Sequence, residues 1–236
     1  MPSMNKALIS AAGPNMAPMM DCAEPTFARY AEQFGYELII DRTIKDAADY
    51  RSELNKAARW GRIAMMKEVL QDPFDLAVWF DADILITRFD RDIADDLATD
   101  CFQGFVWEQS PLPYRRGVNI NGGVWPIRQD PDSTRFIGEL EKIGMDATGI
   151  WADQEAMCKV LGVVMGNSID GNFMSRPMHP SLFYDRTDWL PAVWNPTGLA
   201  KGMAGGRVIH YAGLTNEERL PLMQAQLAAM QDDGIL

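Results

Sequence analysis

Two aspartates stand where a pair of like charges is hard to accommodate. Leu76-Ala77-Val78-Trp79-Phe80 is an unbroken apolar run that leads directly into Asp81-Ala82-Asp83, and Ile84-Leu85-Ile86 follows. A short, continuously apolar run reads as a strand buried on both faces. Ligands of open α/β sheets bind at the carboxyl ends of strands, and Asp81 and Asp83 fall there. Alternate residues of an extended segment share one side, about 6–7 Å apart, so both carboxylates are expected on one face. Two anions between apolar runs cost free energy unless a cation or hydrogen bonds offset them. Oxygen ligands suit Mn2+ or Mg2+, whose remaining coordination positions can go to phosphate oxygens. The alternative is a pair of loop or helix caps. A bare Asp-x-Asp triplet is common, but its place at the end of an apolar strand favours the metal.

Chemistry-bearing residues recur at three later points. Val208-Ile209 ends in His210, one of two histidines in the chain, so His210 closes a β-branched run as Asp81 closes an apolar one. Both can then reach one strand-end site. A neutral imidazole beside carboxylates is acceptable to Mn2+ and less so to Mg2+. A buried structural histidine is the alternative, and His179, in the loop Pro177-Met178-His179-Pro180, has no comparable support. Within Asn119-Ile120-Asn121-Gly122-Gly123-Val124-Trp125, Asn121 offers donor and acceptor groups to a ligand's hydroxyls, and the glycines let backbone approach closely. A strand bulge or an Asn-Gly turn accounts for the same residues. Asp153-Gln154 opens a helical pattern, where Asp153 is also a natural N-cap.

Elements must hold these residues. Ala7 to Ala11 reads as a strand ending in the loop Ala12-Gly13-Pro14-Asn15. A helix follows, with Pro25 near its first turn, Phe27, Tyr30, Ala31 and Phe34 on one face, and Gly35 at its stop. Tyr36 to Ile40 is a second strand, Ala47 to Gln71 a long helix stacking Ile63, Met66 and Leu70, and Leu76 to Phe80 the third strand. Strand, helix, strand, helix, strand predicts a doubly wound α/β fold. Further strands are predicted at Phe102–Trp107, Val118–Ile127, Val163–Ile169 and Arg207–Tyr211. Helices are predicted at Pro131–Ile143, Asp153–Leu161 and Asn216–Gln231. Between Gly171 and Gly206 a Pro-, Gly- and Trp-containing stretch reads as a long surface loop over a site, with Trp189 and Trp194 placed to stack on a ligand or, more often for such a pair, to pack. Nothing resembles a linker, so residues 1–236 are expected to form one domain.

Composition narrows the function classes. The chain has 236 residues and a net charge of −11, from 22 basic and 33 acidic side chains, which argues against a nucleic-acid binder. Nine Asp and only Arg88 and Arg91 lie between Gln71 and Asp100, a local charge of −7. Of these, Asp92, Asp95 and Asp96 read as a solvated helix face. No run approaches the roughly 18 apolar residues of a spanning helix. The start is too weakly basic, and its apolar run too short, for a signal peptide. Cys22, Cys101 and Cys158 have neither CxxC spacing nor an even count, which points to a reducing cytoplasm. Peripheral contact with a membrane surface is compatible with all of this.

Together the motifs resemble a known family. Trp79-Phe80-Asp81-Ala82-Asp83-Ile84 resembles the DxD signature of GT-A glycosyltransferases, Asn119 to Val124 their (F/I)N-(A/G)-G-V segment, Trp151-Ala152-Asp153-Gln154 their DQ motif, and His210-Tyr211-Ala212-Gly213 their terminal H-Y-x-G. The four stand in family order, and the closest likeness is to retaining, metal-dependent members: glycogenin, bacterial lipopolysaccharide galactosyltransferases and plant xyloglucan xylosyltransferases. The resemblance implies a Rossmann-like GT-A domain with a mixed central sheet. It implies Mn2+ (or Mg2+) held by Asp81, Asp83 and His210 against the diphosphate of a nucleotide-sugar, with UDP the commonest carrier in such families. It places Asp153 and Gln154 at the anomeric carbon and Asn121 and Gly122 on the sugar. Ala82 is placed at the ribose, Ala11 and Asn15 at the nucleotide, Arg62 at sugar or phosphate, and Gly213 among the substrate-binding residues. The acceptor is then a glycan or a lipid-linked hydroxyl. Gly13 and Pro14 depart from the acidic first loop of the family, and Asn216 stands where the closest pattern has a diphosphate-binding Lys, a role left to Lys201 or Arg207.

Two other readings compete. Haloacid-dehalogenase-like phosphatases also end a strand in DxD, but prefer Thr or Val where this chain has Leu85 and place the motif near the N-terminus. A non-catalytic nucleotide-sugar or glycan-binding module on the same fold would account for Asn216 and the unusual first loop.

Overall fold

The computed structural model describes residues 4–46, 53–71, 73–109, 118–144, 152–164, 176–196 and 206–236. The first half alternates as expected: β1 (Lys6–Ala11), α1 (Ala17–Phe34), β2 (Tyr36–Asp41), α2 (Glu53–Val69) and β3 (Leu76–Phe80). β1 lies between β2 and β3 and is parallel to both. Then come β4 (Ile84–Ile86), β5 (Gln103–Gln109), β6 (Val118–Asn121), β7 (Val124–Arg128), α3 (Pro131–Ile143) and α4 (Ala152–Leu161). The chain continues through β8 (Val163–Val164), β9 (Arg176–Pro177), a one-turn α5 (Leu182–Asp185), β10 (Thr187–Trp189), β11 (Val208–His210) and α6 (Asn216–Asp232). The central sheet runs β10-β5-β7-β3-β1-β2, with β6 also on β5. Because β7 is antiparallel to both β3 and β5, the sheet is mixed.

Side-chain alternation along the strands builds a core on each face of this sheet. Leu8, Val78 and Phe80 pack with Phe27 and Tyr30 of α1 and Met223 of α6. Ala7, Ile9, Ala77 and Trp79 pack instead with Ile63 and Met66 of α2, Phe136 of α3 and Met157 of α4. Helices on both faces explain why β3 reads as an uninterrupted apolar run, each large side chain there contributing about 1.5–3 kcal/mol on burial.

Four expectations change. Pro25 lies inside α1, because the helix begins at Ala17 and Pro18 takes the first-turn place. Beside it, Thr26 Oγ1 accepts from the Ile86 backbone N–H at 3.1 Å, so α1 buttresses β4. The stretch after Gly171 is not a surface loop where it is described: β10 is a parallel edge strand on β5. Trp194 is fully buried, and Trp189 stacks on Trp107 with centroids 4.7 Å apart. Asp92 is buried and caps a short 3-10 turn, Ile93–Asp95, while Asp96 accepts from Trp194 Nε1 at 2.7 Å; only Asp95 of the three is exposed. The segment Asp81-Ala82-Asp83 is a tight turn rather than extended chain, closed by Ile84 N–H to Asp81 O at 3.1 Å. Residues 47–52, Trp151, 165–169 and Lys201, all part of sequence expectations, lie outside the described residues.

Candidate metal centre

Three backbone features bring the site together. The turn after β3 folds Asp83 back toward Asp81. β11 pairs antiparallel with β4 in a small separate sheet, with His210 opposite Ile84, so the imidazole arrives beside Asp83. Tyr211 N–H donates to Asp83 O at 3.0 Å and fixes that approach. The third feature is an irregularity. While β5 advances three residues, from Gln103 to Val106, its partner uses six, from Ile127 back to Asn121. The surplus loops out at Gly122-Gly123, and Asp81 N–H donates to Gly123 O at 2.8 Å. The strand bulge and the candidate ligand-binding segment thus fall on the same residues.

The glycines serve protein side chains. A Cβ on Gly122 would lie 2.9 Å from Arg62 Nη2, and one on Gly123 would run into the His210 ring. Arg62, only 6% exposed, reaches from α2 into the middle of the site. Its Nη1 donates to Gly122 O at 2.8 Å and lies 3.6 Å from Asp81 Oδ1, and its Nη2 pairs with Asp153 Oδ2 at 2.5 Å. Asp153 stands in the first turn of α4 and is buried against Arg62, and Gln154 Oε1 accepts from Gly122 N–H at 3.5 Å.

Each DxD carboxylate is held at one oxygen and open at the other. Asp81 Oδ1 accepts from Trp79 Nε1 at 2.6 Å, and Asp83 Oδ2 pairs with Arg219 Nη1 at 2.6 Å. The remaining oxygens turn toward His210 Nε2, which lies 3.9 Å from Asp81 Oδ2 and 3.4 Å from Asp83 Oδ1. One ligand atom from each residue falls within 4.8 Å of the others. Two carboxylate oxygens and an imidazole nitrogen converging at this spacing fit a divalent cation that accepts mixed oxygen and nitrogen donors, Mn2+ more readily than Mg2+. The electrostatics of the two acids diverge. Burial, and then the neighbouring Asp83 charge, raise the Asp81 carboxyl above its ordinary value, with Arg62 and His210 opposing. Burial also pushes Asp83 up, but a protonated His210 together with Arg219 overcomes it and holds that carboxyl at about 2.

Of the nucleotide-side candidates, Asn15 is tied to α6, while Ala11 packs against the core on the other face of the sheet. Asn15 N–H donates to Asp46 Oδ1 at 2.9 Å, and Asn15 O accepts from Asn216 Nδ2 at 3.0 Å, so the loop after Ala11 is tied to the first turn of α6. Arg219, one turn further along, reaches Asp83 and also donates to Leu214 O. Gly213 has φ +80°, a conformation that favours glycine whatever its neighbours. Ala82 packs its methyl into the core beside α1.

Sequence reasoning missed three groups. Arg219 lies three residues beyond Asn216 on α6 and reaches Asp83, while Arg207 is turned away to Asp90 at 2.5 Å; that three-residue spacing on one helix was a usable signal. Asp46, from the loop after β2, brings a carboxylate against the loop after β1, and nothing local announces it. Asn195, Nδ2 to Asn121 Oδ1 at 2.9 Å and Oδ1 to His210 Nδ1 at 2.7 Å, stood inside the stretch read as a loop.

Sheet order, the antiparallel strand beside β3 and the site at its carboxyl end define a GT-A fold, the fold of nucleotide-diphospho-sugar transferases. Among solved structures the chain is similar to a glycosyltransferase involved in the glycosylation of the major capsid of PBCV-1, with 12% identity over 94% of this chain and 99% of that one, TM-score 0.65. It is also similar to the galactosyltransferase LgtC in complex with donor and acceptor sugar analogs, with 14% identity over 94% and 95% of the two chains, TM-score 0.51. The bifunctional glycosyltransferase WbbM matches over 96% of this chain but 50% of its own length, with 14% identity and TM-score 0.58. At these identities the likeness is one of fold. No protein-family model matches the sequence, and no curated protein matches it. Among the described residues no helix is long and apolar enough to cross a membrane.

Proposed function

We propose that this chain is a glycosyltransferase acting as one domain over residues 1–236. It transfers a sugar from a nucleotide-diphosphate sugar, with UDP as carrier, to a glycan or lipid-linked hydroxyl, with retention and with Mn2+. The observation that carries this reading is the convergence of Asp81, Asp83 and His210 at the end of β3 in a GT-A fold. A bound divalent cation there supplies Lewis-acid charge against the departing diphosphate. Arg219 takes the diphosphate-binding place that Asn216 does not fill, because it is the guanidinium already at the ligand Asp83. Ala11, Asn15 and the backbone of Ala82 and Gly213 border the nucleotide. Asn121, Gly122 and Gln154 orient the sugar, while Asp153 stabilises positive charge at the anomeric carbon. The Arg62–Asp153 pair at 2.5 Å favours that electrostatic role over a covalent one, since a paired carboxylate is a poor nucleophile. The three free thiols suit a reducing, cytoplasmic setting.

The test is a screen of UDP-, GDP- and ADP-sugars for hydrolysis and transfer, with and without Mn2+. Metal-dependent turnover of one donor class, abolished in Asp83→Asn, is the expected result; turnover unchanged in that variant sinks the reading. A non-catalytic binding module is the second reading, favoured by one feature: Asp83 and Asp153 are both already paired with arginines. Metal-dependent nucleotide binding without turnover on any donor or acceptor would select it.

A further inference from the structure

Beneath the three ligand atoms runs a relay of buried amides whose polarity is set at one end. Gly123 N–H can only donate, and it donates to Asn121 at 2.7 Å, so the accepting atom is Asn121 Oδ1. A second group at that oxygen must also be a donor, which makes it the Asn195 amide nitrogen, at 2.9 Å. The same nitrogen lies 3.4 Å from Asn121 O, a second acceptor. The other atom of the Asn195 amide is therefore an oxygen, and it faces His210 Nδ1 at 2.7 Å. An oxygen there accepts, so Nδ1 carries the proton. In a neutral imidazole the lone pair then belongs to Nε2, the atom 3.4 Å from Asp83 Oδ1.

We infer that Asn195 is a positioning residue that locks His210 in its Nδ1-protonated tautomer and so presents an unprotonated Nε2 to the space between Asp81 and Asp83. Metal-ligating histidines are oriented in this way by a hydrogen bond at the far nitrogen. The lock is stiff. Asn195 is 1% exposed, and it follows directly on Trp194, whose indole is sealed in the core and anchored to Asp96. Gly123 is part of the device, because any side chain there would enter the His210 ring. The inference rests on the metal reading of the same site, but the tautomer is a property of the metal-free protein and can be measured alone.

The experiment uses the full chain labelled with 15N at its two histidines. Long-range 1H–15N correlation at pH 8.5 without metal assigns the tautomer, with exposed His179 as internal reference. His210 is expected with Nδ1 protonated and Nε2 bare. A ring protonated at Nε2, alone or together with Nδ1, overturns the inference. Asn195→Ala is expected to lose the tautomer preference and to weaken Mn2+ binding, measured by calorimetry in the presence of UDP, about tenfold or more. Asn195→Asp keeps an acceptor on Nδ1 and is expected to retain the tautomer. Loss of the preference in both variants, or in neither, contradicts the lock. If the wild type shows the expected tautomer and binds no Mn2+, the metal reading fails and the lock stands.

Discussion

Asp83 and Asp92 are nine positions apart and equally buried, at 6% exposure, yet they are met by opposite surroundings. Asp92 is closed on every side: Lys6 Nζ and Tyr36 OH at 2.5 Å, Ala94 N–H at 3.0 Å and Tyr30 OH at 3.3 Å all donate to it. Burial, and with it the Asp92 charge, push both phenols above their ordinary range, so they stay neutral donors. Asp83 is closed at one oxygen by Arg219, while the other faces His210 Nε2 and shares its space with Asp81. A buried acid with only donors around it is structural. A buried acid whose second oxygen faces another acid and an imidazole is placed to take up a cation.

Breaking Asp92 has the largest expected effect on stability. Asp92→Ala strands the Lys6 ammonium and two phenols, and a loss of about 3–5 kcal/mol in urea unfolding is expected. Asp83→Asn comes next, with a loss of about 1–3 kcal/mol in the metal-free protein in urea unfolding, because the buried Arg219 guanidinium at 2.6 Å loses its charged partner. Because the folded value is depressed, this contribution is complete above the ordinary value of 3.8 and fades as pH falls toward about 2, so the two unfolding curves converge in acid. Asp81→Asn has the opposite sign. Its folded carboxyl is raised, so its charge opposes folding at neutral pH, and the variant's metal-free melting temperature is expected to rise while metal affinity falls. A drop in melting temperature with metal affinity unchanged would place Asp81 with Asp92 rather than with Asp83. The smallest effect is expected of Gly123→Ala, which displaces the His210 ring and weakens Mn2+ binding about tenfold with the fold preserved, checked by circular dichroism beside calorimetry.

The contrast also explains what a sequence can carry. β1, β3, α3 and the ends of α6 are legible because each is a local pattern: an apolar run, a Pro after an Asp cap, a Thr-x-x-Glu box at Thr215 and Glu218. Asp81, Asp83 and His210 were legible because they terminate such runs. The difference between Asp83 and Asp92 was not, since the partners of Asp92 come from β1, α1 and β2, 56 to 86 residues away in sequence. Asn195 was invisible for the same reason: its role exists only once β11 brings His210 against the turn after β10. The surplus residues at Gly122-Gly123 were legible as an alternative between bulge and site, and the fold shows a bulge packed against Arg62 and His210.

The central claim is that Asp81, Asp83 and His210 hold one divalent cation. Electron paramagnetic resonance of Mn2+ titrated into the protein with UDP measures it directly. One ion per chain is predicted for the wild type, with binding lost in both Asp83→Asn and His210→Ala at protein concentrations that saturate the wild type. Retention of that ion in either folded variant would contradict it.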